Sequence, residues 1–224
     1  MTTTALDFYS FIEFSMRKPE KFTVLVTGFG PFNNHIINAS WEAVKELSKL
    51  FANSKEMEDV RMIAKEIPVS YANVATDIPK FWEELKPIVV LHVGVSHKAK
   101  CLTIETCACN SGYVRPDVCD KCPDECDINS TSNILATDID VKKLCSIINK
   151  NAGETECTAC ISCDAGRYLC EYIYYKSLQI APSKTLFVHV PDFDKYSSEQ
   201  TAKGLYDILC YIIRDAKESG KKCS

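Results

Sequence analysis

Three short runs, Phe22–Thr27, Ile88–Val93 and Leu186–Val190, contain β-branched and other apolar residues and no acidic or basic side chain apart from single histidines. A strand that is apolar on both faces has to be covered on both, which points to a sheet layered between helices rather than to a half-solvated antiparallel ribbon. The runs stop at Gly28, Gly94 and Pro191, as buried strands do where the chain must turn. Helical spacing fills the intervals. Trp41, Val44, Leu47, Leu50 and Phe51 repeat from a capping Ser40, and a second helix spans about 72–85 with Pro79 interrupting it. Further strands are expected at Val60–Val69, Leu102–Glu105 and, weakly, Thr158–Ser162. Further helices are expected at Val141–Ile148, Arg167–Leu178 and Ser198–Lys217. The expected fold is α/β: a single-domain twisted mixed β-sheet with helices on both faces, covering residues 22–218 between an N-terminal extension (1–21) and a short tail (219–224).

Composition narrows the function classes. The 224 residues suffice for one large domain with a full core, and a net charge of −4 without a block of like charges speaks against nucleic acid and membrane surfaces as partners. The 13 cysteines admit a disulfide scaffold, a metal site or reduced thiols. The start, Met1 to Asp7, lacks the basic n-region of a secretory signal, so a reducing cytosol is the expected location, with most thiols acting as small hydrophobes.

In open α/β sheets the working residues sit beyond the carboxyl ends of the strands. Gly28–Phe32 follows the first strand. It lacks the third glycine of a dinucleotide loop, and Pro31 removes an amide such a loop would use. Its two rings, Phe29 and Phe32, fit either an apolar wall for a small ligand or plugs in the core. Asp164–Tyr175 is a glycine-containing loop that opens a helix, with Cys170 in the opening turns, where unpaired amides and the helix dipole favour a thiolate. A cysteine at random is more often inert and buried. His189 closes an apolar strand just before Pro191, the position of a base for such a thiol. His92 reads as a satisfied core histidine, and His35 and His97 fall on loops. A carboxylate is needed to orient the imidazole, and Glu105, at the end of its strand, is one candidate among 30 acids.

The blocks Val26–Phe32, Asn38–Trp41, Glu66–Val69, His92–Ser96, Ile104–Asn110, Asp164–Cys170 and Phe187–Pro191, in this order, closely resemble the successive motifs of the type I pyroglutamyl peptidase family in its animal form. The resemblance runs from Phe22 to Arg214. It implies a cysteine exopeptidase that removes N-terminal pyroglutamyl residues through a thioester, with Glu105, Cys170 and His189 as the triad. It also implies a pocket formed with Phe29 and Phe32, with the loop after Val93, including Val95, close by. Peptides with an N-terminal pyroglutamyl residue are the implied partners; no cofactor and no metal are implied, and a monomer or weak homo-oligomer is expected. Three positions depart from the family: Val95 stands where bacterial members carry glutamine, Arg115 aligns with a bacterial arginine only through a gap, and His97 stands where animal members usually have glycine.

Two alternatives stand beside this reading, the first from another class. One is a non-catalytic binding protein that kept the fold, with its cysteine loop as a partner or metal module; the other is a cysteine hydrolase acting on another small amide. Cys119, Cys122 and Cys126 with Cys107 and Cys109, and separately Cys157, Cys160 and Cys163, are close enough in sequence to suggest zinc, though no second CxxC pair stands at ribbon spacing.

Overall fold

The computed structural model describes residues 22–32, 36–123 and 133–222. The N-terminal extension, His35 and Cys126 lie outside them. The main sheet has six strands in the order β2-β1-β3-β8-β4-β7, formed by β1 (Phe22–Phe29), β2 (Val60–Ile67), β3 (Val89–Val95), β4 (Leu102–Glu105), β7 (Ala159–Ser162) and β8 (Thr185–Val190). β2, β1, β3 and β8 are mutually parallel. β4 runs antiparallel to β8 and carries β7 parallel to itself, so the sheet is mixed. Strand reversal at β8/β4 brings the end of one half of the sheet beside the other, where side chains from both can meet.

Side-chain alternation divides the core in two. On one face Val24, Val26, Leu91, Val93, Leu186 and Val188 pack with residues of α1 (Ala39–Ala52), α3 (Val141–Lys150) and α6 (Ser198–Lys222). On the other, Leu25, Val90 and Phe187 pack with α2 (Tyr71–Leu85) and α5 (Leu169–Ile180). Each large aliphatic side chain fully buried in this way contributes about 1.5–3 kcal/mol, and the double cover explains why the strands are apolar throughout. Gly204 of α6 lets that helix approach the sheet: a Cβ there would stand 2.5 Å from Leu102.

Several local expectations need correction. Asn38, not Ser40, caps α1: its side chain accepts from Ser40 N, and Ser40 lies inside the helix. The reason is tertiary, since Ser40 Oγ accepts the amide of Phe29 at 3.0 Å and Asn38 Nδ2 donates to Gly30 O at 2.9 Å. Pro79 is contained within α2 rather than dividing it. α6 begins on a reciprocal cap, Gln200 N to Ser197 Oγ and Ser197 N to Gln200 Oε1, and continues to Lys222, past the expected helix end at Lys217. β5 (Cys107–Cys109) pairs antiparallel with β6 (Ile134–Ala136) in a separate two-stranded ribbon, and a short α4 (Ala152–Thr155) follows α3, elements not among those expected from the sequence. Among the described residues no helix is long and apolar enough to cross a membrane.

Candidate active site

Glu105 and His189 meet because β4 reverses. Thr103 pairs with His189 and Glu105 with Phe187, so Glu105 is the diagonal neighbour of His189 on the same sheet face, within reach of a long side chain. Their contact is a hydrogen bond of 2.8 Å between His189 Nδ1 and Glu105 Oε1, with the carboxylate 1 % and the imidazole 10 % exposed. A carboxylate only accepts, so Nδ1 carries the proton and Nε2 is left for another partner. That partner is Cys170, whose side chain interacts with the ring and lines the same cavity. Burial alone would push the His189 pKa down. The neighbouring Cys170 sulfur and the Glu105 carboxylate outweigh it and raise the pKa to about 10. Such an imidazole holds its proton at neutral pH beside a sulfur that can carry the complementary negative charge.

Cys170 is the second residue of α5, after the cap at Tyr168. First-turn amides have no intrahelical acceptor, so the sulfur lies next to unpaired donors and the positive end of the helix. It also lies directly against β3: a Cβ on Gly94 would stand 2.7 Å from the sulfur and 2.8 Å from the Phe187 ring. Any side chain at position 94 would displace the thiol, which gives the glycine after the third apolar run a steric reason.

These three side chains open into a cavity of about 680 Å3. Phe29, Phe32, Val69 and Val95 contribute apolar wall, and Asn38, Arg115 and Asp164 polar groups. Phe29 belongs to both readings offered by the sequence, being 4 % exposed within the second core cluster while its ring lines the cavity. Phe32 is packed against that cluster but only partly buried. Arg115 stacks its guanidinium 4.2 Å over the Tyr168 ring, so the residue that aligned only through a gap is brought to the wall. Asp117 sets the loop that carries it. Its buried carboxylate accepts the amides of Tyr71, Cys119 and Lys121 at 2.8–3.1 Å, and although burial raises its pKa, these hydrogen bonds dominate and lower it.

His92 is elsewhere. It is fully buried between Thr27 Oγ1 and Ser177 Oγ, each 2.7 Å away, and burial lowers its pKa to about 3. His97 lines the cavity. Among the described residues no group of three or more His, Cys, Asp or Glu is placed to hold a metal ion. Cys157 is buried with its sulfur on Gln200 O, whereas Cys160 and Cys163 are exposed, so strand geometry disperses that cluster. Thr103, Asp192 and, outside the cavity wall, Glu171 are site residues the sequence did not single out. Only Glu171 left a signal, an acid three residues beyond a helix cap and four beyond Arg167.

A family model described as pyroglutamyl peptidase matches residues 22–213. The chain belongs to the pyroglutamyl peptidase family. Human pyroglutamyl-peptidase 1 is 40 % identical to it over 196 residues, 87 % of this chain and 90 % of the human protein, and the rat protein matches equally. The pyrrolidone-carboxylate peptidase of Pyrococcus furiosus is 30 % identical over 84 % of this chain and 90 % of its own length. Among solved structures, a mutant pyrrolidone carboxyl peptidase of P. furiosus superposes with a TM-score of 0.73 at 26 % identity, covering 87 % of this chain and 99 % of that one. The Thermococcus litoralis enzyme shares the fold, with a TM-score of 0.74 at 24 % identity over 89 % and 96 % of the two chains.

Proposed function

We propose that this pyroglutamyl peptidase hydrolyses the amide after an N-terminal pyroglutamyl residue with Cys170 as nucleophile, His189 as acid and base, and Glu105 as the group that orients and stabilises the imidazolium. It is a thiol hydrolase, and its family and relatives do not favour a binding protein without catalysis. The Glu105–His189 hydrogen bond with Cys170 beside it at the head of α5, all three lining an aromatic-walled cavity, carries the assignment. The thiolate attacks the pyroglutamyl carbonyl carbon, and amides of the first turn of α5 donate hydrogen bonds to the developing oxyanion. His189 Nε2 gives its proton to the leaving amine as the carbon–nitrogen bond breaks and the thioester remains. Water, deprotonated by the same nitrogen, then cleaves the thioester and restores the thiol.

A pyroglutamyl group is uncharged, flat and partly apolar. Phe29, Phe32 and Val95 suit it, whereas an ordinary N-terminus would bring an ammonium into an apolar wall at a cost of several kcal/mol. The free thiols of the described chain, Cys101, Cys107 and Cys109 among them, fit a reducing cytosol. The test is release of a fluorescent amine from its pyroglutamyl amide, with prolyl and alanyl amides as controls. Selective pyroglutamyl cleavage supports the assignment, and equal or greater cleavage of a control overturns the specificity.

A further inference from the structure

Glu171 is a buried carboxylate that the reaction above does not use. It follows the nucleophile directly, its side chain is 1 % exposed, and both oxygens are occupied. Oε1 accepts the amide of Cys109 at 3.0 Å and Arg167 Nη1 at 2.7 Å; Oε2 accepts the Arg167 amide at 2.9 Å and the same Nη1 at 2.7 Å. A carboxylate in such a place is costly unless its partners are excellent, and here its contacts join three pieces of chain. Arg167 belongs to the loop that ends in Cys170. Cys109 ends β5, four residues beyond Glu105. Glu171 itself stands in the first turn of α5.

The loop it grips is not relaxed. Arg167 has φ 54° and Gly166 φ 97°, and a non-glycine residue in the left-handed region is strained. Asp164 Oδ1 adds bonds to Gly166 N and to Arg167 Nη1, both at 3.1 Å. Asp164, Ala165, Gly166, Tyr168 and Leu169 all line the cavity, whereas Glu171 and Arg167 do not. α5 holds the Glu105 segment a second time, through Tyr174 OH to Glu105 O at 3.0 Å.

We infer that Glu171, with Arg167, is a positioning residue that fixes the 164–168 wall and the first-turn amides of α5 against β5, the strand that follows the Glu105 segment, so that the oxyanion donors meet the reacting carbonyl. The inference rests on the Cys170 reading above. Its effect falls on the transition state, where the oxyanion forms, and not on the thiolate, which Glu171 does not touch. Alkylation of Cys170 by iodoacetamide needs the thiolate and no oxyanion donor, so it separates the two.

Glu171→Gln is therefore compared with the parent for kcat, KM, melting temperature and rate of Cys170 carbamidomethylation, read by mass with Cys170→Ser as the blank. The expected result is a fall in kcat of about 10- to 100-fold, short of losing an oxyanion donor outright, with KM and alkylation rate within about threefold. Arg167→Gly relieves the left-handed strain while removing the guanidinium, and is expected to lose kcat in the same sense. Arg167→Lys, which keeps the charge, should restore part of it. A folded Glu171→Gln with parental kcat overturns the inference, as does a parallel decline of kcat, alkylation and melting temperature. If Glu171→Gln does not fold, Arg167→Gly decides, and parental kcat in that variant overturns it. Normal turnover in Cys170→Ser overturns the nucleophile assignment instead, while an inactive Cys170→Ser beside a full-speed Glu171→Gln overturns the positioning role alone.

Discussion

His92 and His189 stand on adjacent parallel strands and the same sheet face, one two residues before the other: His92 pairs with Phe187, and Gly94 with His189. Both are buried, yet burial lowers the pKa of the first to about 3, and the second, despite burial, is raised to about 10 by the Cys170 sulfur and the Glu105 carboxylate. The difference lies in what the neighbouring elements offer. Around His92, Thr27 and Ser177 supply hydroxyls, and Ser177 also accepts Trp82 Nε1 at 3.1 Å, so nothing there compensates a cation. Around His189, strand reversal delivers a carboxylate and the head of α5 delivers a sulfur. Position in the sheet makes a histidine buried; only charged partners make it a proton carrier.

The comparison breaks first at the nucleophile. Cys170→Ser should abolish turnover with the fold intact, because a hydroxyl at neutral pH is a far weaker nucleophile than a thiolate. His189→Ala should cost at least the 10²–10⁴-fold or so assigned to a general acid–base. Steady-state kinetics on proteins with parental circular dichroism check both, and near-normal rates in either would remove it from the machinery.

Glu105→Gln sharpens the same contrast by making His189 more like His92. The carboxylate raises the imidazole pKa, so without it the imidazolium loses its proton at lower pH. The alkaline limb of activity, set in the parent by a group titrating near 10, should move downward. The loss at neutral pH should be smaller than for His189→Ala, since Glu105 orients without transferring the proton. A full pH–rate profile decides; an unmoved alkaline limb would separate Glu105 from the titration of His189.

The two phenylalanines separate wall from core. Phe32, partly buried at the cavity, should on truncation to alanine raise KM more than it lowers kcat, by about 1–3 kcal/mol of lost contact. Phe29, 4 % exposed, should lose stability as well, by about 3–5 kcal/mol as for other core Phe→Ala changes. Thermal melts with KM values on both variants check this, and unchanged KM in both would assign the rings to the core alone.

Much of this arrangement was legible in the sequence for a physical reason: strands buried on both faces leave unbroken apolar runs, and buried strand ends leave glycine or proline. His189 stood at such an end and Cys170 at a helix start, and the two could be paired by chemistry. Glu105 could be proposed only as one acid among many, because its contact with His189 depends on the antiparallel β4/β8 register, which no local pattern announces. Asn38 displaced Ser40 as the cap because Ser40 is occupied by the Phe29 amide, a contact between distant elements. The cysteine-rich loop suggested zinc by spacing, but Asp117 and three backbone amides order its described part, a use of one carboxylate that spacing does not reveal.

The smallest effect on activity is expected at His92, and it tests the other side of the comparison. In the folded protein His92 stays neutral to about pH 3, whereas an unfolded histidine takes up a proton near 6.5. The unfolded state therefore binds more protons between these values, and stability is lost as pH falls through that window, each pH unit of separation being worth about 1.4 kcal/mol. His92→Gln cannot titrate, and it keeps a donor and an acceptor for Thr27 and Ser177. It should be less stable than the parent at pH 7 because it repacks a full core, yet lose less further stability between pH 6.5 and 4. Its kcat and KM at pH 7 should match those of the parent, since neither hydroxyl partner touches the cavity. Denaturant melts across that pH range, with kinetics at pH 7, read both quantities. An acid dependence of stability as steep as the parent's would mean that His92 is not held neutral, and a fall in kcat without loss of fold would mean that the two histidines are coupled rather than divided between core and site.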